Sequence, residues 1–199
     1  YDEDISDIAA RGARYVALDD VPFPMLCDAA IRGQLERQGK DPEKLLDQYI
    51  DLTNASFENA PSDMTIGLHM CRGNLKGTWL SEGSYQAVSE KLFNKLKVDV
   101  FFLEYDTERA GGFEPLAAMP TDKLVVLGLI SSKVPDMESK AMLRARIDEA
   151  AQYIDLERLA ISPQCGFSSA VIGNPVSAED QMSKLKLVVE VAEDVWGGA

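Results

Sequence analysis

Thr65-Ile66-Gly67-Leu68-His69-Met70-Cys71-Arg72-Gly73-Asn74 begins as an apolar run and ends as a polar stretch containing glycine. It reads as a buried strand over 64–69 that empties into a loop. At the junction stand the only histidine of the sequence and one of its three cysteines. His69 and Cys71 are two residues apart, so on an extended backbone both point to one face. An imidazole and a thiolate side by side at a strand's end make half of a metal site, and other strands must supply the rest. The plainer reading is a buried histidine bonded to backbone beside an apolar cysteine.

Outward from this stretch, short apolar runs alternate with helical patterns. Residues 2–11 read as a helix stopped by Gly12. A strand follows over 14–18 and ends in Asp19-Asp20; Val21-Pro22-Phe23-Pro24 reads as a loop, because two prolines oppose continued pairing. Helices are expected over 25–38 and, capped by Asp41 with Pro42 at its first position, over 41–60. An amphipathic helix over 84–96 precedes the strand 98–103, which runs into Glu104. Beyond a short helix near 113–118 come the strand 123–130, a helix over 137–153, the strand 159–162 ending in Pro163-Gln164-Cys165-Gly166, and a last helix capped by Ser177.

The strands are near-continuous apolar runs, the mark of parallel strands covered on both faces. No Gly-rich dinucleotide or phosphate loop is present, which weakens a doubly wound sheet. The expected fold class is therefore α/β of the (β/α)8 TIM-barrel type. In such a barrel function gathers at the C-terminal ends of the strands, and Asp19, His69, Cys71, Glu104 and Cys165 all fall there. Five βα units are too few to close a barrel, so residues 1–199 are expected to supply about the last five units, with the first strands lying outside this sequence. Tyr1-Asp2-Glu3-Asp4, which reads like mid-protein helix, points the same way.

The 199 residues carry a net charge of −13, with 46% apolar and 27% charged residues. That balance is globular and argues against a nucleic-acid or anionic-membrane surface, which needs clustered Lys and Arg. No apolar run approaches the roughly 20 residues of a membrane span. Three dispersed cysteines make no disulfide framework, and reduced thiols in a cytoplasmic protein are the simpler expectation.

In a barrel the ends of the second, third and fifth strands share one mouth, so His69, Cys71, Glu104 and Cys165 can meet as an N, S, O, S set. That set suits zinc better than an iron–sulfur or blue-copper centre. Singly, Glu104 reads as a solvated strand-end carboxylate and Cys165 as a small buried hydrophobe. A thiolate-rich zinc favours holding and alkylating a substrate thiolate over generating hydroxide, with Glu104 the donor easiest to loosen. Cys27 and Trp79 read as packing, and Arg72, Asn74, Asp106 and Arg109 as solvated loop residues.

These pieces resemble the C-terminal catalytic barrel of cobalamin-independent methionine synthase, and in particular its short, single-barrel subgroup. Leu18-Asp19-Asp20-Val21-Pro22 is similar to the family's Ile-Asp-Glu-Pro, His69-Met70-Cys71 to its His-x-Cys, Phe102-Leu103-Glu104 to its strand-end Glu, and Ser162-Pro163-Gln164-Cys165-Gly166 to its Asn-Pro-Asp-Cys-Gly. The resemblance implies zinc held by His69, Cys71, Glu104 and Cys165, an Asp19 that binds the amino group of homocysteine, and methyl transfer from a methyl-folate donor to homocysteine to give methionine. The family's larger members carry a His-Ser-Pro element, its His a general acid, where this chain reads Ile130-Ser131-Ser132-Lys133. The donor and the general acid therefore stay open, as does the oligomeric state. A related zinc-dependent alkyltransferase for another thiol, of the coenzyme M and epoxide type, and a non-catalytic zinc-binding domain are the alternatives.

Overall fold

A computed structural model of the chain describes residues 1–168 and 170–198. Five parallel strands, β1 (Tyr15–Asp20), β2 (Thr65–Met70), β3 (Val100–Glu104), β4 (Leu124–Ile130) and β5 (Leu159–Pro163), pair in sequential order. Each parallel crossover carries helix: α1 (Asp2–Ala10) precedes β1; α2 (Pro22–Met25), α3 (Ala29–Arg37) and α4 (Pro42–Ala55) join β1 to β2; α5 (Ser89–Lys95) joins β2 to β3; α6 (Lys140–Ala150) joins β4 to β5; and α7 (Ala178–Trp196) closes the chain. Only helical turns of three and five residues lie between β3 and β4. This is the sequential, parallel layout of a barrel rather than the reordered sheet of a doubly wound fold. Among the described residues, no helix is long and apolar enough to cross a membrane.

Local chemistry places the helix starts. The Asp28 carboxylate accepts from the amides of Ala30 and Ile31 at the start of α3, and Asp41 does the same for Glu43 and Lys44 at α4. Ser139 caps α6, while Ser177 and Asp180 form a reciprocal capping box on α7. Five segments differ from expectation. Val21–Pro24 is not a loop: Pro22 stands at the first position of the one-turn α2, where its missing N–H is not needed and its φ is already helical. The next helix starts at Ala29, after its Asp28 cap, and α4 ends at Ala55. The stretch 84–96 breaks at Val88 into a short turn and α5. The helix expected from 137 begins at Lys140, where Ser139 caps it.

The sheet has two unlike faces. On its outer face Leu68, Phe101, Leu103, Val125, Leu127 and Ile161 are buried against the helices. The register puts Asp19 beside His69, Gly67 beside Val100, and Glu104 beside Gly128, itself beside Ser162. Alternation therefore lines the inner face with Tyr15, Ala17, Asp19, Gly67, His69, Val100, Phe102, Glu104, Val126, Gly128 and Ser162. Its small residues make room for one large ring: a Cβ on Gly67 would lie 2.9 Å from the Phe102 ring and 3.0 Å from the Tyr15 hydroxyl.

Candidate metal centre

The C-terminal ends of β2, β3 and β5 bring four side chains together above Phe102. The Cys165 thiol donates to Glu104 Oε1 at 2.8 Å, and its Sγ lies 3.3 Å from that of Cys71. His69 Nε2 is 3.3 Å from Glu104 Oε1 and Nδ1 is 2.9 Å from Asp19 Oδ1. One ligand atom each from His69, Cys71 and Cys165 can be chosen so that all three lie within 4.8 Å of one another. His69 Nε2 is buried, and despite the nearby carboxylate it has no aligned hydrogen-bond partner. A buried, unpartnered imidazole nitrogen facing two thiols and a carboxylate is a donor set that fits a metal such as zinc, which takes N, S and O donors.

The side chains are electrostatically interlocked. Burial opposes ionisation of Glu104, but His69, Lys133 and the Cys165 thiol outweigh it and hold its carboxyl down at about 2. Burial likewise works against a charge on His69, yet Asp19 and Glu104 push it up to about 9. The two thiols share a proton: the hydrogen bond from Cys165 draws Cys71 down to about 7, and the same bond, with burial and Glu104, raises Cys165. Without metal the cluster thus holds protons that a cation would displace on binding.

A shell of polar residues holds the strand ends. The Glu104 amide donates to the Tyr85 hydroxyl at 3.0 Å. Glu104 Oε2 accepts from Gln164 Nε2 at 3.1 Å and from Lys133 Nζ at 3.4 Å. Arg109 reaches within 3.8 Å of the same oxygen while pairing with Asp106 at 2.8 Å. Amide side chains tie the loops to one another: Asn74 Nδ2 donates to the Gly166 carbonyl at 2.9 Å, and Asn174 Nδ2 to the Ser132 carbonyl at 2.8 Å. Gly73 adopts φ 92°, and a Cβ there would meet Leu80 at 2.7 Å, so the loop after β2 can fold back only on a glycine.

Several loop residues depart from expectation. Arg72 is fully buried, its guanidinium 4.4 Å above the Tyr85 ring; Asn74 is buried as well, and the side chains of Arg109 and Asp106 are 6% and 3% exposed. Trp79 does not pack into the core. It is 54% exposed at the mouth, with Arg109 4.9 Å over its ring. Cys27 is buried packing, as expected, and burial raises its thiol to about 11. Sequence reasoning missed Lys133, Gln164 and Tyr85. The first two do occupy strand ends, and that position was the one signal that could have found them.

Residues 2–194 match the family described as cobalamin-independent synthase, catalytic domain. The chain is 41% identical over 197 residues to the uncharacterized Bacillus subtilis protein YxjG, covering 98% of this chain and 52% of that protein. It superposes on a Listeria monocytogenes protein assigned as a vitamin-B12 independent methionine synthase with a TM-score of 0.75 at 37% identity, covering 99% of this chain and 53% of the other. At 23% identity over 194 residues it is similar to a 5-methyltetrahydropteroyltriglutamate–homocysteine methyltransferase of Vibrio vulnificus, covering 92% of this chain and 22% of that one. The chain thus spans about half the length of its more similar relatives. With barrel-type topology, a His-Cys-Cys cluster at the strand ends and a family match over nearly its whole length, the chain belongs to the cobalamin-independent synthase catalytic-domain family.

Proposed function

We propose that this chain is the zinc-bearing part of a methyltransferase that moves a methyl group from 5-methyltetrahydrofolate to the thiolate of homocysteine, giving methionine. The observation that carries the reading is the meeting of His69, Cys71, Cys165 and Glu104 at three strand ends, in a chain of the cobalamin-independent synthase family. The name of the Vibrio vulnificus relative supports the choice of donor and acceptor.

In this reading His69 Nε2, Cys71 Sγ, Cys165 Sγ and Glu104 Oε1 hold the zinc. When bound, it supplies positive charge that keeps a substrate thiol deprotonated at neutral pH. Asp19 has two tasks. Its Oδ1 faces His69 Nδ1 and fixes the tautomer that leaves Nε2 for the metal. The side chain is 67% exposed, so its second oxygen is available to the ammonium of homocysteine. Glu104, the hardest donor of a sulfur-rich set, would hold the zinc less firmly than the two thiolates. The remaining strands of the barrel are proposed to lie in the half of the relatives' length that this chain does not span, and to supply the other substrate contacts.

Lys133 favours a second reading. The segment Ser131-Ser132-Lys133 offers no histidine, and its Lys133 is turned inward to Glu104. A related zinc-dependent alkyltransferase for another thiol or donor would not need a general acid towards a pterin. Zinc K-edge absorption on the full-length protein, with and without homocysteine, tests the first reading. One sulfur neighbour gained and one N/O neighbour lost is the expected result, alongside methionine formation from methyl-folate. Zinc bound with an unchanged edge overturns it, and alkylation of a different thiol in a substrate panel would establish the second.

A further inference from the structure

The two oxygens of Glu104 face opposite ways. Oε1 is turned to the cluster, 2.8 Å from Cys165 Sγ and 3.3 Å from His69 Nε2. Oε2 is turned away, held by Gln164 Nε2 at 3.1 Å and Lys133 Nζ at 3.4 Å. Gln164 and Lys133 are also bonded to each other, Nζ donating to Oε1 of the amide at 3.2 Å. Each of the three therefore fixes the other two. Lys133 is 2% exposed, so its ammonium is aimed at this carboxylate and not at solvent.

The mount of Lys133 is rigid. Its amide donates to Ser131 Oγ at 3.3 Å, and the Ser131 amide donates to Glu138 Oε1 at 2.8 Å. The other oxygen of Glu138 is gripped at 2.9 Å by Lys184, a fully buried lysine on α7. Asn174 holds the Ser132 carbonyl from the opposite side. A long flexible side chain anchored at its backbone from two directions delivers its charge to one place.

We propose that Lys133 and Gln164 form a two-point clamp on Glu104 Oε2 that makes Glu104 a one-oxygen donor and the exchangeable member of the set. Lys133 is a positioning residue here: it acts through Glu104. Two physical effects run in one direction. The clamp occupies the second oxygen, which excludes bidentate donation. The buried cation also offsets the negative charge that two thiolates and a carboxylate bring to a zinc site. Both weaken the hold of Glu104 on a cation, and the clamp gives the carboxylate a ready partner when a thiol takes its place. The proposal rests on the zinc reading above and goes beyond it by naming what sets the lability of the fourth donor.

The test compares zinc affinity of the wild type, Lys133→Met and Gln164→Leu by competition with a chromophoric chelator, and the zinc K edge of each with homocysteine. Lys133→Met is expected to bind zinc about tenfold more tightly, a change of the size typical for partners of metal ligands but of the opposite sign. Gln164→Leu should move the same way by less, since it removes a donor and no charge. Homocysteine should remove an N/O neighbour in the wild type and leave it in place in Lys133→Met. Equal or weaker zinc affinity in both variants, with a wild-type edge response, overturns the clamp while leaving the zinc reading standing. A wild-type protein that takes up no zinc overturns both, and that result needs no variant. If Lys133→Met does not fold, Gln164→Leu alone decides by the direction of its affinity change.

Discussion

Leu68 and His69 are neighbours in the chain and belong to opposite faces of one sheet. Leu68 is 1% exposed and packs under the helices with the rest of the outer face. His69 sits on the inner face among small residues, one ring nitrogen facing a carboxylate and the other left unpartnered. The outer face is built from large apolar side chains whose loss opens cavities. The inner face sets the small residues Ala17, Gly67, Gly128 and Ser162 beside Tyr15, Val100, Phe102 and Val126, with charged groups at its upper rim. One strand thus serves stability with its even-numbered residues and chemistry with its odd-numbered ones.

The comparison is broken most directly by pairing two substitutions. Cys165→Ser is expected to remove bound zinc and lower methyl transfer by more than about 100-fold, beyond the usual effect of losing a ligand's outer partner. It should leave the stability of the metal-free protein within about 1 kcal/mol. Phe101→Ala, on the outer face, is expected to cost about 3–5 kcal/mol in denaturant unfolding and to leave zinc stoichiometry unchanged in the folded fraction. A Cys165→Ser protein that keeps zinc and activity, or a Phe101→Ala protein as stable as wild type, would erase the distinction between the faces.

A pH series sharpens it. His69 is raised to about 9 from 6.5. A raised pKa contributes stability that is fully present below pH 6.5 and is lost as pH climbs through about 9. Cys71, drawn down to about 7, works in the opposite sense over the same window, so the experiment belongs in a metal-free Cys71→Ser background. There the expected loss between pH 6 and pH 9.5 is on the order of 3 kcal/mol, read by denaturant titration. A flat profile would mean that Asp19 and Glu104 do not hold the imidazolium.

The smallest effect concerns the floor of the inner face. Gly67→Ala places a methyl group against the Phe102 ring and the Tyr15 hydroxyl. The ring must shift, at about 1–2 kcal/mol, seen as a lower melting temperature. An unchanged melting temperature would show that the inner face is looser than the outer one.

Much of this was legible in the sequence because parallel strands covered on both faces write themselves as apolar runs. Val100–Leu103 and Val125–Ile130 could hardly be anything else, and a polar residue after such a run marks a strand end. That is how Glu104 and Cys165 declare themselves, and the four cluster residues were all read as strand-end candidates. What sequence does not carry is which loop residues turn inward. Lys133 draws no notice in the sequence because lysine is almost never buried without a partner, and its partner lies 29 residues away. Arg72 and Trp79 were misjudged in opposite directions, for one reason: the loop after β2 folds back at Gly73, covering the arginine and leaving the indole outside. Pro22 misled as well, since proline opposes continued pairing and starts a helix equally well.

The sequential strand order sets a timetable for synthesis. Synthesis runs from the N-terminus, so His69, Cys71 and Glu104 are made before Cys165 and can gather as soon as β2 and β3 pair. Cys165 follows Glu104 by 61 residues. At about 5–20 residues per second that interval is on the order of several seconds. During it the nascent chain carries an incomplete donor set, with the Cys71 thiol still lacking its companion. The last βα unit is therefore more than a lid on the core: its arrival completes the cluster of His69, Cys71, Glu104 and Cys165. A ribosome stalled before residue 165 would display a chain that has these strands but lacks the second thiol of the cluster.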